Sequence, residues 1–186
     1  MSNPNRTAID RLPGFQSAEV ASFLAQFDDQ SAALARALKD ITPEELGWQP
    51  RPGMNTIGML LAHLAIVEVW WSAIGTGRKT EDLPAVLGIG EDDDGMPLAP
   101  GGLPPTTLAG FERGDFDRLL AKARQFVKEA WESVPESAVE EEIQRTRADG
   151  TQRAFTRRWI LYHILEHFAG HFGQIRLQRH LYQAEN

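Results

Sequence analysis

Four stretches of this chain place apolar side chains at helical spacing, and Pro or Gly signals separate them. In residues 17–41 the stripe is Val20, Phe23, Leu24, Phe27, Leu34, Leu38 and Ile41. Ser17 is positioned to cap this helix, with Glu19 in its first turn, and Thr42-Pro43 ends it. In residues 55–76 the apolar side is Ile57, Leu60, Leu61, Leu64, Val67 and Trp71, with Asn55 or Thr56 as cap. Residues 107–134 carry Phe116, Leu119, Ala123, Phe126, Val127, Ala130 and Trp131 before Pro135. Residues 156–183 follow a Thr156 cap and are apolar almost all round in their first half, as expected of a helix packed on several sides. The expectation is an all-α fold, an antiparallel four-helix bundle.

The connections are unequal. Residues 1–16 read as a polar N-terminal arm. Residues 77–106 are rich in Gly and Pro and form a long connection between the second and third helices, either a functional lid or an insertion. Its acidic run, Glu91 to Asp94, reads as a solvated loop. Residues 140–155 alternate weakly around Asp149-Gly150, which predicts a short β-hairpin before the last helix. The 186 residues suffice for one domain, taken as 1–186.

Composition narrows the chemistry. There is no Cys, which excludes disulfides, thiolate metal sites and Cys nucleophiles. A net charge of −7 without a basic stripe argues against nucleic acid. Uninterrupted apolar runs fall short of a membrane span, and the first residues lack an apolar signal core. No membrane and a cytoplasmic location are therefore expected.

Four of the five histidines lie in the last helical stretch: His163, His167, His171 and His180. His167 and His171 are one turn apart and leave the helix ~40° from each other, so their imidazoles can converge on one cation. His163 lies another turn back, and three successive turns do not reach one tetrahedral centre easily. The third ligand should come from another helix, and His63 is the only candidate histidine. Its neighbours Met59, Leu60, Ile66 and Val67 are apolar, so it faces inward. A lone inward histidine is ordinarily a hydrogen-bonded core residue; it is the combination that points to metal. Neutral imidazole suits Zn, Ni, Fe or Cu, and three such ligands leave an open position. His163 reads as a packing or supporting residue and His180 as a surface one. No Glu-x-x-His pair is present for a di-iron site, and the only acidic residue downstream of the H-x-x-E-H string at 163–167 is Glu185, at the terminus, which makes a third ligand hard to supply.

The run from His163 through Glu166, His167, Gly170, His171, Gly173 and Gln174 to Ile175 resembles the signature of the DinB/YfiT-like superfamily. Leu60-Leu61-Ala62-His63-Leu64 resembles its first-ligand segment, and Trp48-Gln49-Pro50 with Asn55-Thr56-Ile57-Gly58 its lead-in. The resemblance spans about residues 40–175. It implies a four-helix bundle, a divalent transition metal (Zn, Ni, Fe or Mn) on His63, His167 and His171, and a homodimer. It also implies hydrolysis, or transfer of a low-molecular-weight thiol such as bacillithiol or mycothiol, with a small-molecule substrate. The apolar girth of the last helix, from Trp159 to Phe172, also suggests a second subunit.

Gln174 lies on the face of His171 and reads either as a support for that ligand or as a packing amide. Gly170 and Gly173 suit close helix approach or ordinary packing. Glu68 is a weak general-base candidate, Glu166 a structural or surface residue, and the tryptophans suit core and interface packing, with the wall of a substrate pocket as the alternative for Trp70 or Trp71. No catalytic residue is identified. Three functions remain open: a metal-dependent enzyme, a bundle with a structural metal, and a bundle held by packing alone.

Overall fold

The computed structural model describes residues 8–80, 83–146 and 149–186. The first seven residues of the expected N-terminal arm lie outside it, and residues 8–16 carry no helix or strand. The fold is mostly helical, with six α-helices, four of them long, and one two-stranded sheet among the described residues.

Helix α1 runs Ala18–Ala37. The Ser17 hydroxyl accepts from the Val20 N–H at 3.1 Å and donates to the Glu136 carboxylate at 2.6 Å, so one buried cap also ties the helix to a turn 119 residues further on. The helix stops before the expected Ile41. Leu38 leaves helical geometry at the C-cap, and Thr42 with Pro43 starts a separate short helix, α2, Pro43–Gly47. Pro43 lacks the N–H that a continuing helix would need, whereas the first turn of a new one tolerates it. Leu38 and Ile41 are buried nonetheless.

Helix α3, Ile57–Thr76, is capped by Thr56 and closed by Gly77 in the left-handed region, φ +71°. It is buried on several flanks, packing against α5 and α6. By length and composition α3 is apolar enough to cross a membrane, contrary to the reading from uninterrupted runs. Its His, Glu and Ser break the runs without making the average polar. Most of it lies inside the fold, where helix neighbours take the place of lipid.

The described residues of 77–106 are not structureless. They contain α4, Leu83–Leu87, whose Leu83 and Leu87 join the core, and a series of turns. Helix α5 spans Arg113–Trp131, starting six residues later than expected. Gly110 at φ +79° turns the chain, and Glu112 with Asp115 forms the capping box that sets the true start. The hairpin forms as expected: β1, Glu142–Thr146, pairs antiparallel with β2, Gln152–Thr156, with Ile143 opposite Phe155.

Helix α6, Arg157–Glu185, is the longest, and Thr156 caps it. It packs on α1 and α3. Near its start Arg158 bonds Glu19 and Glu140; near its end Arg179 bonds Glu45 at 2.7 Å and the carbonyl of Ala37. Of its early apolar residues Ile160, Leu161, Ile164 and Phe168 are buried, while Trp159 and Tyr162 are exposed.

Candidate metal centre

Helix α3 presents His63 toward α6, and α6 presents His167 and His171 from successive turns. His63 Nε2 lies 3.1 Å from His167 Nε2, which lies 3.1 Å from His171 Nε2. One ligand atom from each residue falls within 4.8 Å of the others. Three imidazole nitrogens bound tetrahedrally to one ion at ~2.1 Å stand about 3.4 Å apart, close to two of these separations.

The outer face of two rings is also fixed. His63 Nδ1–H donates to Asp94 Oδ2 at 2.7 Å, and His171 Nδ1–H donates to Gln174 Oε1 at 2.9 Å. A neutral imidazole carries one N–H. With those hydrogens on Nδ1, both Nε2 atoms present lone pairs to His167. His167 Nε2 can donate to one of them at most, which leaves the other lone pair facing a nitrogen that gives it no hydrogen. A cation at the shared point satisfies all three, so the donor set fits a divalent metal.

Burial pushes His167 down to about 3, with His171, His63 and His163 adding to the depression. Burial likewise lowers His171 and His163. Rings held neutral at pH 7 keep their lone pairs free for a metal.

Residues 22–184 match the family model of mycothiol S-transferase. The chain belongs to the mycothiol S-transferase family. The DinB/YfiT-like resemblance holds with it, since this family is one of that superfamily. A search of curated proteins finds no match.

Several residues stand elsewhere than expected of them. Asp94 is not solvated: it is buried and bonded to His63, and its other oxygen accepts from the Met96 N–H at 2.9 Å. Glu91 and Asp92, from the same run, are exposed. Trp70 and Trp71 are half-buried rather than core, and with Ile66, Val67 and Met96 they wall a cavity of about 230 Å³ beside His63. Sequence reasoning missed Asp94 because nothing distinguishes it locally from the three acidic residues before it. The one available signal was the length of the connection itself.

The other single residues sort cleanly. His163 stacks on Trp159, ring centroids 4.8 Å apart and nearly parallel, and sits edge-on to Trp71, so it packs rather than joins the three-nitrogen cluster. Phe155 also stacks on Trp159. His180 and Glu166 are exposed. Gly170 and Gly173 are exposed with no atom within 4 Å of a built Cβ, so close helix approach does not explain them. Glu68 is buried against Arg124 and is absent from the walls of the cavity beside His63.

Proposed function

We propose that this chain transfers a low-molecular-weight thiol to an electrophilic small molecule, at a centre where His63, His167 and His171 hold one divalent transition metal. The observation that carries the reading is the convergence of three Nε2 atoms, two of them on rings that Asp94 and Gln174 hold from behind. When bound, the metal supplies Lewis acidity and favours the thiolate over the thiol at neutral pH.

The chain's own residues supply the rest. Asp94 and Gln174 orient the rings. His163 packs behind His167, and Trp159 holds it by stacking. Trp70, Trp71, Ile66, Val67 and Met96 offer apolar walls that exclude water from an electrophile and favour an uncharged or planar one. In the transfer a sulfur–carbon bond forms, and either a leaving group departs with its electron pair or an unsaturated carbon takes up the thiol. Hydrolysis would need the same three ligands; family membership favours the thiol reaction.

The proposed architecture is the antiparallel four-helix bundle of the DinB/YfiT type, built from α1, α3, α5 and α6, acting in the cytoplasm. A homodimer is part of the proposal: Trp159, Tyr162, Leu177 and Leu181 leave apolar surface exposed on α6 for a second copy. Light scattering at micromolar concentration is expected to give twice the 20.7 kDa chain mass; a strict monomer contradicts it.

The direct test is an assay of mycothiol with a haloarene electrophile. Protein reconstituted with zinc is expected to consume both in equal amounts, and chelator-treated protein is not. Metal-loaded protein that hydrolyses esters but leaves thiol untouched would shift the reading to a hydrolase.

A further inference from the structure

Asp94 reaches His63 from 31 positions away in sequence, across the whole of α4 and the turns after it. Its carboxylate spends both oxygens, Oδ2 on the His63 ring and Oδ1 on the backbone of Met96. The turn that presents it is braced on each side. Asp93 accepts from the Gly90 N–H at 2.6 Å, the Gly95 N–H donates to the Asp92 carbonyl at 3.0 Å, and the Thr107 hydroxyl donates to the Asp93 carbonyl at 2.7 Å. The same turn contributes Glu91, Asp92, Asp94 and Met96 to the cavity beside His63. Thus one buried side chain joins the histidine cluster to the segment that forms one wall of the cavity.

We propose that Asp94 is a positioning residue through which metal loading docks the 88–97 segment, so that metal centre and substrate cavity assemble together. The proposal rests on the metal-binding reading above. A cation on Nε2 withdraws electron density from the ring, makes Nδ1–H a stronger donor and strengthens its bond to a carboxylate. Linkage makes the effect mutual: whatever metal adds to docking of the segment, docking adds to metal affinity. Asp94 lines the cavity as well, but its part here is played through the ring and the wall. It holds the ring in the tautomer that offers its lone pair, and it holds the wall in place.

Zinc affinity, measured against a chromogenic chelator, is the first readout for the parent, Asp94→Ala and Asp94→Asn. Hydrogen exchange of residues 88–97 with and without zinc is the second. The parent is expected to slow exchange in that segment when zinc is added. Asp94→Ala is expected to bind zinc ~10–100-fold more weakly and, at saturating zinc, to show no added protection there. Asp94→Asn keeps one acceptor oxygen of the two, so its loss is expected to be smaller. An Asp94→Ala protein that binds zinc within twofold of the parent overturns the proposal, as does a parent whose 88–97 exchange ignores zinc. A parent that binds no zinc at all defeats the metal reading instead. Unchanged exchange in α3 and α6 of the Ala variant, read in the same experiment, identifies the loss as local rather than as failure to fold.

Discussion

Replacing His63 with Ala is expected to abolish tight metal binding as fully as replacing His167 or His171. Each of the three supplies one nitrogen to a cluster held within 4.8 Å, and two remaining imidazoles, both from α6, cannot enclose an ion. The loss should exceed the ~10–100-fold typical of an outer hydrogen-bond partner. His163→Ala is expected to keep the metal, because that ring is stacked on Trp159 and bonded into no nitrogen cluster. Metal content after gel filtration, with affinity by competition, separates the four variants. A His63 variant as tight as the parent would show that the two α6 histidines act without α3.

The second large effect lies away from the histidines. Glu68 is fully buried, and burial raises its pKa above the ordinary 4.5 while Arg124 opposes the rise. Arg124 also bonds Asp28 at 2.8 Å and Ser31 at 2.7 Å, and lies 3.5 Å over the ring of Phe27. Arg124→Met should cost about 3–5 kcal/mol, because it strands a carboxylate in an apolar interior. Asp28 fares better, since Lys128 still pairs with it at 2.7 Å. In the variant the folded state should hold a proton on Glu68 that the unfolded chain releases near pH 4.5. Stability should then fall as pH rises above that value. Adding Glu68→Gln should recover much of the loss and flatten the pH dependence. Urea unfolding at pH 5 and pH 8 measures both. A single variant that loses under ~1 kcal/mol would mean that water reaches Glu68 freely.

How far the sequence carries depends on how local the cause is. The long helices were legible because an apolar stripe at 3.6-residue spacing is written in neighbouring residues, and Ser17, Thr56 and Thr156 mark their starts by a local hydrogen bond. That His167 and His171 would come together was legible for the same reason, and that His63 would join them by elimination. Asp94 was not, because its role is made by the path of a connection rather than by its neighbours. Nor was the pairing of Glu68 with Arg124, whose partners lie 56 residues apart. The end of α1 was misjudged because Leu38 and Ile41 continue the apolar stripe after the backbone has left the helix. Trp70 and Trp71 follow helical spacing as any core residue would, and only the placement of Met96 and Asp94 opposite them makes a cavity.

The row of rings beside the histidines has one more consequence. Trp70 meets Trp71, Trp71 meets Trp159 and His163, and His163 meets His167, each pair with centroids within 5.7 Å. Three of the chain's five indoles therefore sit in one optical relay that ends at the centre, while Trp131 is sealed in the core and Trp48 pairs with Tyr182. Excitation of those three is expected to pass among neighbours in contact, so a quenching ligand in the cavity, or a paramagnetic ion at the nitrogens, is expected to dim the group together. Indole emission is then expected to report on the site without any label.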